Sequence, residues 1–257
     1  MTALDLFDVA GKRVVVTGGG SGIGTMIARG FVQAGASVII ASRKEASLKE
    51  VAEELSALGD CSYIVADLST EEGCRGLAEA VATQWDGLDV LVNNAGANWG
   101  APMDGHDSKS WSRVLDVNVE GVFHTTKFLR RLLEAAATEE APSRVINIGS
   151  VDGIQVPAFE TYSYSASKAA VHQLTRHLAK HMAPLVTVNA IAPGPFQSRM
   201  MKATLEAAGE GMARMMPLRR IGRDEDMAGA AIFLASEAAS FMTGTVIPVD
   251  GGIATTR

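Results

Sequence analysis

The strongest indication of the fold is the segment Thr17-Gly18-Gly19-Gly20-Ser21-Gly22-Ile23-Gly24. It follows the β-branched run Arg13-Val14-Val15-Val16 and leads directly into the helix-like run Thr25-Met26-Ile27-Ala28-Arg29. A glycine-rich turn between a strand and a helix lets the backbone approach a pyrophosphate, whose charge is stabilised by the helix dipole and the free N–H groups. The segment therefore predicts a phosphate-binding turn; the alternative is a tight turn that binds nothing.

The rest of the chain continues this alternation of short β-branched runs and longer helix-like segments. Such alternation is typical of a parallel sheet covered by helices on both faces. We therefore predict an α/β, doubly wound Rossmann fold with a seven-stranded, mainly parallel sheet, in which residues 1–257 form one dinucleotide-binding and catalytic domain. The predicted strands lie near 13–16, 37–40, 62–65, 88–92, 144–148, 186–189 and 245–249, and the predicted helices near 22–34, 45–58, 70–84, 107–136, 164–182 and 224–236.

Composition excludes several classes of protein. Lys and Arg number 23 against 29 Asp and Glu, without a basic cluster, so nucleic acid is not an expected partner. Cys61 and Cys74 form no CxxC motif, which argues against a disulfide framework or a metal site. The amino terminus lacks a basic region before an apolar run, and no segment is apolar enough to span a bilayer. We expect a cytoplasmic protein that does not enter a membrane.

The end of the second predicted strand indicates which dinucleotide binds. An NAD-binding site usually has an acidic residue there, which accepts hydrogen bonds from the adenosine ribose. This chain has Ser42-Arg43-Lys44 instead. Ser42 does not repel a 2′-phosphate, and Arg43 offers a planar set of donors for it. The sequence therefore favours NADP(H), unless Arg43 and Lys44 are merely solvated charges.

A second motif, Tyr164-x3-Lys168, indicates acid–base chemistry. The two residues are one helical turn apart, so their side chains share a face. An adjacent ammonium stabilises a phenolate, and we expect Lys168 to lower the pKa of Tyr164. Ser150 closes the strand near 144–148, at the edge where open α/β sheets bind ligands. Its hydroxyl is placed to hold a carbonyl oxygen. A surface tyrosine packed over a lysine stem is the ordinary alternative.

Together with Asn93-Asn94-Ala95-Gly96, Asn118 and Pro193-Gly194, these motifs resemble the single-domain short-chain dehydrogenases/reductases over essentially the whole chain. The resemblance implies that Tyr164 is the general acid in carbonyl reduction, Ser150 polarises the carbonyl, Lys168 binds the nicotinamide ribose and Asn118 holds a water in the proton relay. It also implies that Asp67 lies by the adenine, and that Asn93 and Gly96 lie along the cofactor. The full set of cofactor-binding residues expected from the motifs and the resemblance is Gly18, Gly20, Ser21, Gly22, Ile23, Gly24, Ser42, Arg43, Asp67, Leu68, Asn94, Ala95, Gly96, Tyr164, Lys168, Pro193 and Gly194.

The sequence departs from the family pattern at two positions. Gly149 replaces a second serine that many members carry before the catalytic serine, and Ser198 replaces a threonine that is common after Pro-Gly. Neither departure removes a catalytic group.

Tyr162 is a rival for Tyr164 as the catalytic tyrosine, but only Tyr164 is followed by a lysine one turn later.

The substrate pocket is less well defined by sequence. The segment 193–217 has two early prolines and several methionines, and it predicts either a mobile substrate-binding excursion or surface helices with methionines on their inner face. We expect four aromatic residues either to line the pocket or to be ordinary packing residues, namely Trp99, Phe159, Tyr162 and Phe196. His177 and His181 share a helical face without a third ligand, so no metal site is expected.

Within the family, the stretches 97–100, 144–150 and 191–200 most resemble reductases of 3-oxoacyl thioesters, carried on acyl carrier protein or coenzyme A. The alternatives are an NAD(P)-dependent dehydrogenase of a sterol, polyol or small secondary alcohol, and a non-catalytic NADP(H) sensor. The resemblance also implies a homotetramer that uses helices 107–136 and 164–182 and the segment around Asp250-Gly251-Gly252. A dimer stays open.

Overall fold

The computed structural model describes residues 2–197, 209 and 211–256, and its centre is one parallel sheet. Its strands are β1 (Arg13–Thr17), β2 (Ser37–Ser42), β3 (Cys61–Val65), β4 (Val90–Asn93), β5 (Ser143–Ile148), β6 (Val186–Pro193) and β7 (Val246–Val249). These seven strands, in the order β3-β2-β1-β4-β5-β6-β7, pair only in parallel, which confirms the predicted sheet.

The central strands are rich in valine and isoleucine because helices cover both of their faces. Every residue of β4, β5 and β6 is buried. The helices are α1 (Ile23–Gln33), α2 (Glu45–Ser56), α3 (Glu71–Gln84), α4 (Ser108–Leu115), α5 (Gly121–Ala136), α6 (Tyr162–Met182) and α7 (Asp224–Ala235). One core cluster lies between the sheet and α1, α2 and α7, and a second lies between the opposite face and α3, α5 and α6.

The single helix predicted over 107–136 is wrong in one respect. A π-helical turn, Asp116–Glu120, separates α4 from α5. A Cβ on Gly121 would overlap the main-chain oxygen of Leu68, so the close approach of this turn to the loop after β3 requires glycine. Isolated π-helical turns are rare and are often found at functional sites. Here the turn contains Asn118.

The strand order reverses between β1 and β4, which are neighbours in the sheet although two strands separate them in sequence. At such a switch point the loops leave in opposite directions, and a crevice opens at the carboxyl ends of the strands. The glycine-rich turn follows β1 and lies at this crevice. Within the described part of the chain, no helix combines the length and apolar character needed to cross a bilayer.

Candidate active site

A cleft of about 670 Å³ lies at the carboxyl ends of β1, β4, β5 and β6. It brings together residues that are far apart in the sequence, because the loops after these parallel strands all leave the same edge of the sheet. The predicted site residues in its lining are Gly18, Ser21, Gly22, Ile23, Asn94, Gly96, Ser150, Tyr164, Lys168, Pro193 and Gly194. Other predicted residues lie outside this lining, namely Gly20, Gly24, Ser42, Arg43, Asp67, Leu68, Ala95 and Asn118.

The glycine-rich turn has the shape that a pyrophosphate requires. Gly18 and Gly22 adopt left-handed φ angles of 66° and 57°. A Cβ on Gly18 would lie only 2.7 Å from the side-chain nitrogen of Asn94. Helix α1 begins directly after Gly22, and no side chain caps its first turn. The first N–H groups of α1 are therefore available to an anion, so these residues fit a dinucleotide phosphate.

Beside this turn, Ser42 and Arg43 extend from the end of β2. A Cβ on Gly20 would lie 3.4 Å from the hydroxyl of Ser42, so this side chain borders the turn. The side chain of Arg43 is 65% exposed, and its Nε lies 3.9 Å from Asp67 Oδ1. That distance leaves most of the guanidinium donors without a protein partner at this contact. The site fits a phosphate on the adenosine ribose.

The three predicted catalytic side chains converge at the other end of the cleft. Ser150 follows β5, and its Oγ accepts a hydrogen bond from the N–H of Asp152 at 3.1 Å. Tyr164 and Lys168 lie in the first turns of α6, with Lys168 Nζ 5.5 Å from the centre of the Tyr164 ring. The Lys168 ammonium donates to the main-chain oxygen of Ile148 at 2.7 Å. The end of β5 and the first turns of α6 thus bring the hydroxyls of Ser150 and Tyr164 together with the Lys168 ammonium.

The electrostatics of this group differ from the sequence-based prediction. The pKa of Tyr164 is raised to about 12, chiefly because the phenol is buried. Hydrogen bonding with Ser150 lowers this pKa and the nearby Asp152 carboxylate raises it. Burial also lowers the pKa of Lys168 to about 8, although Asp152 opposes this shift. The expected lowering of the Tyr164 pKa is therefore wrong, because burial outweighs the influences that lower it.

Tyr162 occupies a different environment from Tyr164. The residue is 37% exposed, and its hydroxyl donates to Glu160 Oε1 at 2.9 Å. Its ring packs edge-on against His106, with the ring centres 5.1 Å apart. This geometry holds the Tyr162 hydroxyl at the surface, whereas Tyr164 faces the cleft.

Asn118 is fixed by its neighbours in the π-helical turn. Its side chain accepts from the N–H of Ala97 at 2.7 Å, and donates to the oxygen of Ala97 at 3.0 Å and to Ser167 Oγ at 2.9 Å. Both amide hydrogens are used in these bonds. The side chain therefore joins the loop after β4 to α6. Because neither amide hydrogen is free, the expected relay water would have to donate a hydrogen bond to an oxygen of Asn118.

Asn93 does not lie along the cleft as expected. Its side chain is buried and donates to Thr126 Oγ1 at 3.0 Å and to Asn147 Oδ1 at 2.9 Å. These bonds tie β4 to α5 and β5. The next residue, Asn94, reaches the turn after β1 and donates to the main-chain oxygens of Thr17 and Gly18. Asn93 thus holds the sheet together, while Asn94 supports the phosphate-binding turn.

The structure explains the glycine at position 149 through a residue that sequence reasoning missed. His172 lies on α6 one turn after Lys168 and is only 5% exposed. A Cβ on Gly149 would overlap Nε2 of its imidazole, and a Cβ on Gly153 would come within 2.9 Å of the ring. The ring therefore occupies the space that a serine side chain at position 149 would need. The absence of the second serine was the signal for this packing.

The apolar side chains predicted for the pocket divide into two groups. Phe159, Phe196 and Met212 line the cleft, whereas Trp99 lies under the guanidinium of Arg113 at 5.6 Å and outside the described lining. Tyr162 is also outside that lining. Met216 is buried. Ser198, Met200, Met201 and the rest of 198–208 lie outside the described residues, so the predicted excursion is seen only in part.

Comparison with known proteins agrees with this geometry. Residues 18–254 match a family model described as enoyl-(acyl carrier protein) reductase. The chain is 47% identical over 249 residues to the rhamnolipids biosynthesis 3-oxoacyl-[acyl-carrier-protein] reductase of Pseudomonas aeruginosa, covering 96% of this chain and 97% of that one. It is 39% identical over 255 residues to galactitol 2-dehydrogenase (L-tagatose-forming) of Cereibacter sphaeroides, covering 96% of each.

Among solved structures, the chain is similar to the RhlG/NADP active-site complex of Pseudomonas aeruginosa. The two share a TM-score of 0.94 and 47% sequence identity, over 97% of this chain and 99% of the other. The likeness therefore extends over the sheet, the helices and the cleft together.

Proposed function

Because the chain belongs to the short-chain dehydrogenase/reductase family, we propose that it is an NADP(H)-dependent oxidoreductase that reduces a ketone to a secondary alcohol. The observation that carries the proposal is the convergence of Ser150, Tyr164 and Lys168 in a cleft that continues into the glycine-rich turn. When bound, the nicotinamide cofactor supplies the hydride. The side chains of this chain then have to hold the carbonyl and supply the proton.

We assign these tasks by position. The Ser150 hydroxyl holds the carbonyl oxygen of the substrate, and Tyr164 donates its proton to that oxygen as negative charge develops. Lys168 holds the nicotinamide ribose and places a positive charge beside the phenol. Asn118 is the remaining member of the relay. Its side chain fixes the loop after β4, and a relay water would donate a hydrogen bond to its main-chain oxygen.

Tyr164 holds a proton that reduction can use. Burial raises its pKa to about 12, so the phenol is protonated at neutral pH, as an unperturbed tyrosine also is. The raised pKa makes the phenol a weaker acid, so the positive charge of Lys168, whose pKa is about 8, has to assist the transfer of the proton.

NADP(H) is favoured by the residues beside the glycine-rich turn. Ser42 is uncharged, and the exposed Arg43 has donors available for a 2′-phosphate. The solved structure of the Pseudomonas aeruginosa relative is an NADP complex. The remaining predicted cofactor contacts, including Asp67 near the adenine, stay part of this proposal.

For the substrate we propose a 3-oxoacyl thioester, carried on acyl carrier protein or coenzyme A. The support is the similarity to a 3-oxoacyl-[acyl-carrier-protein] reductase over almost the whole chain. The apolar side chains of Phe159, Phe196 and Met212 in the cleft wall suit an acyl chain. A polyol dehydrogenase is the second candidate, because the galactitol dehydrogenase is 39% identical.

The test is a substrate panel with both cofactors, followed by the absorbance of the reduced nicotinamide. We expect the purified protein to oxidise NADPH faster than NADH, and with 3-oxoacyl thioesters as the best substrates. A higher kcat/KM for the oxidation of galactitol would support the second candidate. NADPH binding without turnover on any substrate would indicate a sensor and refute the enzymatic proposal.

We further propose that residues 1–257 act as one domain and that the protein is a cytoplasmic homotetramer. Exposed apolar side chains support association, in particular Phe123 on α5 and Phe241 before β7. Light scattering coupled to size-exclusion chromatography measures the mass, and a monomer or dimer at micromolar concentration would refute the tetramer.

A further inference from the structure

Asp152 is a carboxylate in the wall of the cleft, two residues after Ser150. Its backbone is held from both sides. The N–H donates to Ser150 Oγ at 3.1 Å, and the main-chain oxygen accepts from Ser165 Oγ on α6 at 2.6 Å. The short helical turn Val151–Gly153 therefore fixes this residue against the catalytic group.

The charges in the cleft are few, and their arrangement matters. Among the lining residues that the structure describes, the charged ones are Asp152, Glu160 and Lys168. Glu160 is exposed and accepts a hydrogen bond from the surface hydroxyl of Tyr162. The Lys168 ammonium is buried and already donates to Ile148, and the nearby Asp152 carboxylate raises its pKa. Burial raises the pKa of Asp152 itself, and the positive charge of Lys168 opposes that shift. In its ionised form Asp152 presents a negative charge to a substrate beside the reacting hydroxyls.

We propose that Asp152 is a specificity-determining residue that rejects substrates with an anionic group near the reacting carbonyl. This inference rests on the proposed reduction of 3-oxoacyl thioesters. A free 3-oxo acid has a carboxylate two carbons from its ketone, whereas the thioester has an uncharged carbonyl in the same place. Two like charges a few ångströms apart in a partly buried site repel strongly. The chain thus selects the activated acyl group over the free acid.

Replacing Asp152 with asparagine preserves the shape of the side chain and removes its charge. Lys168 would then lack its compensating charge and would attract a carboxylate. Asp152 also influences the pKa of Tyr164, but that effect acts on the proton donor and applies equally to every substrate. The ratio of kcat/KM for two substrates therefore isolates the charge selection from catalysis and from partial unfolding.

The experiment compares acetoacetate with the uncharged N-acetylcysteamine thioester of acetoacetate, using NADPH. The variants are the wild type, Asp152→Asn, the smaller Asp152→Ala and the matched control Glu160→Gln. We expect the wild type to prefer the thioester, and both Asp152 variants to raise the acetoacetate-to-thioester ratio by about tenfold or more. Glu160→Gln should change the ratio less than about twofold, because Glu160 lies in solvent at the rim.

The outcomes separate this inference from the proposed function. If the wild type does not reduce the thioester, the proposed substrate class is wrong. If it reduces the thioester but the ratio is unchanged in the folded Asp152 variants, Asp152 does not select by charge. A larger effect from Glu160→Gln would also overturn the assignment.

Discussion

The buried imidazole of His172 makes the stability of the protein depend on pH in a predictable way. The pKa of this group is lowered to about 4, first by burial and then by the charges of Lys168 and Arg176. Hydrogen bonding with the main chain of Gly153 opposes the shift. The ring is therefore neutral in the native protein over most of the acid range.

The sign of the effect follows from proton binding. In the unfolded chain the imidazole has its ordinary pKa of 6.5, so below that pH the unfolded state binds more protons than the native state. The free energy of unfolding must then fall as pH falls, by about 3 kcal/mol once both states are titrated. Between about pH 7.5 and about pH 4.5 the loss amounts to about 2 to 3 kcal/mol.

Replacing His172 with leucine removes this titration. At neutral pH the variant loses the hydrogen bond to Gly153 and should be less stable than the wild type by about 1 kcal/mol. At about pH 4.5 it should be the more stable protein, by about 1 to 2 kcal/mol. The two stability curves are therefore expected to cross.

Urea unfolding across this pH range, at one protein concentration, measures the crossing. His177→Gln is the matched control, because His177 lies on the same helix and is exposed. Its curve should run parallel to that of the wild type. Parallel curves for wild type and His172→Leu would show that the imidazole titrates normally and would refute the reasoning.

Three further predictions follow from the site. Tyr164→Phe should leave NADPH affinity unchanged and lower kcat by at least about a hundredfold, whereas Tyr162→Phe should stay close to wild type. Fluorescence titration measures the affinity and steady-state kinetics measure kcat. A loss of kcat in Tyr162→Phe but not in Tyr164→Phe would show that the assignment is wrong. Arg43→Ala should weaken NADPH by about tenfold and leave NADH unchanged, so that equal losses in the two titrations would argue against a 2′-phosphate contact. Gly149→Ser should lower the free energy of unfolding by about 1–3 kcal/mol, because the added side chain overlaps the His172 ring. Adding His172→Ala to the same chain should recover part of that loss. If urea unfolding shows strictly additive losses for the two changes, the two residues do not pack directly against each other.

The sheet could be predicted from sequence because its strands are buried on both faces. Continuous apolar runs such as Val14-Val15-Val16 in β1 and Val90-Leu91-Val92 in β4 have no polar face, so they do not show the periodicity of an amphipathic helix. The helix-like segments between the strands are long enough for parallel crossovers. The π-helical turn at 116–120 was not predicted, because the apolar pattern across it still suits a helix. Gly121 was the available signal, since its lack of a Cβ permits the contact with Leu68.

The catalytic group was also predictable in its members, because spacing along a helix and position at a strand end are local properties. Its electrostatics were not, because they depend on burial and on charges brought in by other elements. The sequence shows that Lys168 follows Tyr164 by one turn, but not that the phenol is buried or that Asp152 faces both groups. These two facts reverse the direction of the Tyr164 pKa shift.

The reversal decides which protonated form of Tyr164 the residues of this chain favour. A phenol whose pKa is about 12 holds its proton at neutral pH, so these residues supply the acid form that reduction needs and not the phenolate that oxidation of an alcohol would need. Lys168 carries the positive charge that favours the phenolate, but burial lowers its own pKa to about 8. The carboxylate of Asp152 raises the pKa of Tyr164 and helps to keep the proton there. In this chain the residue proposed to select an uncharged carbonyl also favours the acid form of the group that protonates it.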